Sequence, residues 1–312
     1  MSARPVAAYA ADMPAPTRLL ARIPPIEAAR RAAGEAVRSR VAGPDAVERA
    51  RRIWLTPGPR WYEVDEPVSR VHGAPSMYAG GVAALLLQSL HPGAMAGVAG
   101  HSGFRGDPWG RLQRTSEYIA TTSFGTAEHA ERVVARIRGI HRRVSGTDHR
   151  GRPYRADDPH LLRWVHIAEI LAFYSAYQAY SGTPLTRAEA DAYVARSNVP
   201  AAKLGATGLP TTLDELRACI QAYRPELEAS PAALDAAAFL LREPPLPQPA
   251  RTGYAAIALA GVAILPPWAR RELGLRLPEA AAPAARALGR ATTAAVAWAL
   301  RDITPRRNPA TE

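Results

Sequence analysis

Five times along the chain a side chain that can cap a helix stands at the head of a helix-forming run, and in three of these proline follows at once. Asp107–Pro108 opens "WGRLQRTSEYIATTSFG", Asp158–Pro159 opens "HLLRWVHIAEILAFYSAYQAYSG", and Ser230–Pro231 opens "AALDAAAFLLRE". Thr126 heads "AEHAERVVARIRGIHRRVSG", with Glu128 in the first turn and Gly146 as the stop, and Thr212 with Glu215 forms a capping box before "LRACIQAY". A cap satisfies a backbone N–H that the first helical turn leaves without a partner, and proline fits the first position because its missing N–H is not needed there. Strand alternation is nearly absent, "RWYEVD" being its best candidate, and no repeat period shows. "AGVAGHSGFRG" carries glycines but follows no strand, which argues against a dinucleotide loop. The pattern predicts an all-α chain with a single helical domain over 46–300. An N-terminal arm and first helix occupy 1–45, and a basic tail occupies 301–312. "EPPLPQPA" at 243–250 reads as a proline-rich connector.

At 312 residues the chain can bury a substantial core. Its net charge of +11 comes from 39 basic against 28 acidic residues, and Lys203 is the only lysine. The arginines are scattered and not interleaved with aromatics, so a nucleic-acid partner is not expected. Cys219 is the only cysteine, which excludes an internal disulfide and a CxxC metal site, and reads as a structural thiol. The N-terminal stretch lacks a basic region followed by an apolar run, and "TGYAAIALAGVAILPPWA" is too short and proline-broken to span a membrane. A cytoplasmic protein without a membrane span is the expectation.

Two histidine-bearing helices carry chemistry. Stepping about 100° per residue through 133–144 places Val133, Val134, Ile137, Ile140, His141 and Val144 on one apolar arc. His141 therefore points inward, as a core imidazole bonded to a carbonyl or as a ligand of a metal or haem. In "RWVHIAEILAF", His166 and Glu169 share a face at a spacing of three, as a hydrogen-bonded structural pair or as ligands of a non-haem metal. His91 precedes Pro92 at the end of an apolar helix and reads as a cap or a pocket residue. His101 lies on a glycine-flanked loop, while His72, His129, His149 and His160 stand in polar contexts without an assigned role.

The helix after Pro108 is unusual in another way. Arg111, Arg114, Thr115, Tyr118 and Thr122 fall on one side of it, where globular helices usually place aliphatic residues. Either the arginines form a solvated face, or they form a polar wall. Enclosed guanidinium groups then need anionic partners or acceptors such as haem propionates, bound dioxygen or a substrate carboxylate.

"LLLQSLHPGAMAGVAGHSGFRGDPWGRLQRTSEYIATTSFG", followed by "VVARIRGIHRRVSGTD" and "GRPYRADDPHLLRWVH", resembles the catalytic domain shared by bacterial latex-clearing proteins (rubber oxygenases) and fungal MpaB oxygenases, over roughly residues 50–270. The resemblance implies an all-α fold with a globin-related core and additional helices, haem b as cofactor, and dioxygen as co-substrate. It implies that His141 is the proximal ligand of the haem iron; should His141 not serve, His166 is the alternative candidate. Arg111 and Thr115 match the family's distal arginine and threonine, Arg114 stands where rubber oxygenases have lysine, and Tyr118 joins Arg111 in contacting the cofactor. The stripe would then be a polar wall facing haem and oxygen.

Two departures separate the chain from the rubber oxygenases. The segment upstream of the arginine motif, "GAMAGVAGHS", holds no carboxylate where those enzymes use a glutamate base, and arginine in place of lysine donates hydrogen bonds but does not act as a base. The expectation is therefore a haem-dependent oxidoreductase acting on a small apolar substrate, isoprenoid or secondary metabolite, with dioxygen or peroxide and an electron donor not specified by sequence. Its pocket would draw on "SMYAGGVAALLLQSL" and "FYSAYQAY". The alternatives are a non-catalytic protein that binds or senses haem or a diatomic gas, and a helical protein holding a non-haem metal.

Overall fold

The computed structural model describes residues 24–43, 45–102 and 105–301. The arm expected at the N-terminus before Pro24 and the tail beyond Arg301 lie outside the described residues. In chain order the helices are α1 (Pro24–Ala42), α2 (Ala46–Trp54), α3 (Pro67–His72), α4 (Met77–Gln88) and α5 (Pro92–Gly97), which continues into a π-turn at Val98–Ser102. α6 (Pro108–Phe124) and α7 (Ala127–His141) precede a small hairpin, β1 (Ser145–Thr147) with β2 (Pro153–Arg155). Then come α8 (Pro159–Tyr180), α9 (Arg187–Leu204), α10 (Leu213–Ala222), α11 (Pro231–Arg242), α12 (Gln248–Ile264), α13 (Pro267–Glu272) and α14 (Ala282–Leu300). The chain is a mostly helical single domain, as the caps predict.

The caps work as local chemistry requires. Asp107 accepts from the N–H of Gly110, Thr126 from His129, Asp158 from His160 and Ser230 from Ala233. Thr212 accepts from Glu215 N, but the Glu215 carboxylate takes the N–H of Thr211 at 2.7 Å, so only half of the expected box forms. A complete box stands instead at Thr186 and Glu189, opening α9.

Three boundaries differ from the sequence reading. α7 stops at His141 rather than running to Gly146, because the Asp148 carboxylate accepts from the N–H groups of Arg150 and Arg152 and folds the following chain into an antiparallel hairpin. "RWYEVD" forms no strand: only Arg60 makes a bridge, to Thr126, and its guanidinium donates to the carbonyls of Ile53, Trp54, Thr56 and Phe124. Four carbonyl acceptors from two helix ends wrap that segment around the helices, where a positive group is favoured. The proline-rich connector is also shorter than expected, with α12 beginning at Gln248.

The core centres on α8, whose Trp164, Ile167, Ile170 and Phe173 are buried. Each such side chain contributes roughly 1.5–3 kcal/mol relative to exposure. α8 packs most extensively on α4, and Gly80 permits the approach: a Cβ there would lie 3.1 Å from Phe173 and 3.2 Å from Ala176. Gly289 of α14 admits the Tyr180 ring in the same way, and the Tyr180 hydroxyl donates to Ala260 O of α12 at 2.7 Å. Buried Arg30 ties α1 to α14 by donating to the carbonyls of Trp298 and Ala299 while pairing with Glu27. No single helix among the described residues is long and apolar enough to cross a membrane. α4 and the segment after it pass by length and composition only as a pair bent by 105°, and α4 is largely buried in the core.

Candidate functional site

α6 and α7 form a helical hairpin closed by Gly125 and Thr126. Measured from that turn at 1.5 Å per residue, Arg111 and His141 both stand about 22 Å away, at the open end. Along α7 the apolar arc is buried at Val133 and Val134 and emerges toward His141, where Ile140 is 41% exposed. His141 itself is half-buried. Neither of its ring nitrogens has a hydrogen-bond partner among the described residues, and Nδ1 is wholly enclosed, so the carbonyl-bonded alternative is not realised. Burial pulls its pKa down, with the charge of Asp157 acting the other way, which favours a neutral imidazole with a lone pair available.

The arginine stripe divides into two halves. Arg114 is 62% exposed and its guanidinium donates to the cap residue Asp107 at 3.1 Å, while Thr115 is exposed. Both lie at the surface end of α6, where the cap itself is exposed, so the geometry does not bring them to an enclosed wall. Arg111 is half-buried, and desolvation together with the charge of Arg114 lowers its pKa. Deeper along the helix Tyr118 is enclosed, its phenol held above the usual range first by burial and then by the charge of Glu169. Thr122 is buried and donates to Tyr118 O at 2.9 Å.

Glu169 lies in the most unusual environment of the molecule. It has no hydrogen bond and no ion pair among the described residues, and burial alone pushes its carboxyl up to about 7. Its charge also opposes ionisation of Tyr193, which places it between α6 and α9. One turn earlier, the Nε2–H of His166 donates to Asn198 Oδ1 at 3.0 Å. Asn198 is held in that orientation because its own Nδ2 donates to Pro210 O at 2.7 Å. The tautomer leaves His166 Nδ1 as a bare acceptor, and burial lowers the ring's pKa to about 4. His166 and Glu169 therefore do not form the expected hydrogen-bonded pair.

His72, without a role in the sequence reading, completes this region. Its Nδ1 meets Ser123 Oγ at 2.7 Å and its Nε2 meets Tyr193 OH at 3.3 Å, and its ring packs edge-on against Phe173. Burial, then the charge of His166, lowers its pKa to about 3. His72, His166 and Glu169 are enclosed by protein on all sides yet retain open surface. They gather where α3, α6, α8 and α9 meet.

A second grouping lies at the surface. His91, His160 and Glu226 bring their ligand atoms within 4.8 Å of one another, close enough to hold a metal ion. Hydrogen bonding disfavours that use. His91 caps α5, its Nδ1 accepting from Gly93 N at 3.2 Å and Ala94 N at 3.5 Å, and Arg163 donates to His160 Nδ1 at 3.2 Å. Each neutral ring then carries its proton on Nε2, the atom that would have to coordinate, and His160 Nε2 donates to Glu226 at 2.8 Å. The cap half of the His91 expectation holds. The exposed His101 meets Ser145 O at 3.1 Å.

The expected apolar pocket is rearranged. Tyr177 and Tyr180 of "FYSAYQAY" are buried in the core, whereas Tyr78 and Ala79 line a small cleft with Ile257, Ala260 and Val296. Cys219 is half-buried against the core and unbridged.

The arrangement defines a helical protein with histidines, a glutamate and phenols enclosed where α3, α6, α8 and α9 meet. A family model described as "ER-bound oxygenase mpaB/B'/Rubber oxygenase, catalytic domain" matches residues 69–298, and the chain belongs to that family. No curated protein and no solved structure matches it. Membership in an oxygenase family makes an oxidoreductase role, with substrate and dioxygen as partners, the reading that the match supports.

Proposed function

We propose that the chain is a haem b-dependent oxygenase of a small apolar substrate, with His141 holding the iron. One observation carries this reading. His141 lies within the matched region, burial favours its neutral form, and neither ring nitrogen has a partner among the described residues, which leaves a lone pair for a metal. A structural histidine at this depth would bond a carbonyl. The exposed Ile140 beside it supplies apolar surface for a flat macrocycle. Haem, when bound, supplies the activation of dioxygen or peroxide that no side chain can provide.

The chain's own residues would position and exclude. Arg111, half-buried at the same end of the hairpin as His141, would bind a propionate or donate a hydrogen bond to the oxidant, and Tyr118 would offer a phenol deeper along the same helix. Arg114 and Thr115 would act only after Arg114 leaves Asp107. A globin-like cradle and a cytoplasmic site of action belong to the same proposal, and fractionation of cells tests the latter. The polymer substrate of rubber oxygenases is not carried over, because the upstream carboxylate is missing.

Purified protein should show a Soret band with near-stoichiometric haem b. His141→Ala should lose most of the haem while circular dichroism keeps its helical content. Unchanged haem content in the variant would remove His141 and move the test to His166. Consumption of dioxygen with substrate separates an oxygenase from a haem or gas binder.

A further inference from the structure

The chain carries 39 basic side chains, and among the described residues the low-exposure carboxylate of Asp148 is paired with Arg152. Glu169 is enclosed without a cation. His166 Nδ1, one turn away on the same face of α8, is a second acceptor without a donor. An enclosed carboxylate is costly unless a charge or hydrogen-bond donors compensate it, and among the described residues neither is supplied.

We propose that a hollow where α3, α6, α8 and α9 meet is a recognition site for the protonated amine of a small organic ligand, with Glu169 as counter-ion and His166 Nδ1 as second acceptor. An ammonium brings the missing positive charge and three N–H donors, enough for the carboxylate and the imidazole together. Tyr118 and Tyr193 lie near enough to feel the Glu169 charge, and aromatic rings beside an anionic group favour organic cations. A hydroxyl brings a single donor and leaves the charge unbalanced. A metal ion needs more ligands: among the described residues the only His/Cys/Asp/Glu trio near enough is the surface one, and stable sites use three or more protein ligands. This reading does not depend on iron.

The test is calorimetric titration at pH 8 with n-butylamine, butan-1-ol and Mn(II), on the parent, Glu169→Gln, Glu169→Asp, His166→Ala and His141→Ala. n-Butylamine should bind the parent and His141→Ala alike. It should bind Glu169→Gln at least tenfold more weakly, and Glu169→Asp and His166→Ala with intermediate affinity. Butan-1-ol should bind at least tenfold more weakly than the amine. Equal binding of amine by Glu169→Gln, or of alcohol by the parent, overturns the proposal. Amine binding kept in Glu169→Gln but lost in His141→Ala would mean that the amine reaches the iron, and also overturns it. Tight Mn(II) binding, lost in Glu169→Gln and His166→Ala, would make the hollow a metal site instead.

Discussion

Two groupings in this molecule are built from the same residue types, histidine and glutamate, and have opposite characters. At the surface, His91, His160 and Glu226 are mutually close, but each ring Nδ1 accepts from a backbone or guanidinium donor and His160 bonds the carboxylate. Inside, His166 and Glu169 leave an imidazole lone pair and a whole carboxyl without partners among the described residues. Proximity singles out the first grouping, and hydrogen-bond accounting singles out the second. An enclosed polar group without a partner costs stability, and the amine proposal rests on that cost.

The largest expected effect tests that cost. The folded Glu169 carboxyl, raised to about 7 from an ordinary value near 4.5, favours the protonated form. Its contribution to stability is therefore present below about pH 4.5 and is lost as pH rises through 7. At about 1.4 kcal/mol per pH unit the loss amounts to about 3 kcal/mol. Glu169→Gln should match the parent at pH 5 and exceed it by up to that amount at pH 8, as read from urea midpoints. A variant less stable than the parent at pH 8 would show that Glu169 has a favourable partner after all, and would close the gap between the two groupings.

How much of this was legible in the sequence follows from the range of each interaction. The caps at Asp107, Thr126, Asp158 and Ser230 are contacts over two or three residues, and the sequence states them outright. The family motif was legible for a similar reason, since its arginine–threonine helix and His141 occupy consecutive helices. His72 was not: the partners that make it a core residue, Ser123 and Tyr193, lie 51 and 121 positions away. The isolation of Glu169 is likewise a property of α6, α8 and α9 together, and "HIAE" shows only its spacing from His166. The sequence left the Arg114 face open, and its contact with Asp107, seven positions back, is what holds it at the surface here. The β1–β2 hairpin has strands of three residues, too short to alternate visibly.

An intermediate effect separates the cap from the cluster. His91→Ala removes the acceptor for Gly93 N and Ala94 N, and loss of a side-chain cap costs about 1 kcal/mol. His91→Asn supplies another oxygen acceptor at the same position and should recover most of it. If Asn fails to rescue, the contribution of His91 comes from its packing against Trp164 and Tyr223 rather than from the cap.

The smallest effect is expected at Glu226. Its carboxylate and the His160 side chain are 44% and 43% exposed, so solvent screens the pair. Exposed ion pairs contribute about 0–1 kcal/mol, and Glu226→Gln keeps a hydrogen-bond acceptor for His160 Nε2–H. The thermal midpoint should hardly move. Added Zn(II) should leave it unmoved as well, in parent and variant, because coordination at either Nε2 requires the proton to shift to an Nδ1 that already accepts a donor. A zinc-dependent rise in the parent that Glu226→Gln abolishes would mean that the metal outcompetes those donors. The surface grouping would then be the metal site, and proximity rather than unpartnered lone pairs would be the better guide to chemistry in this fold.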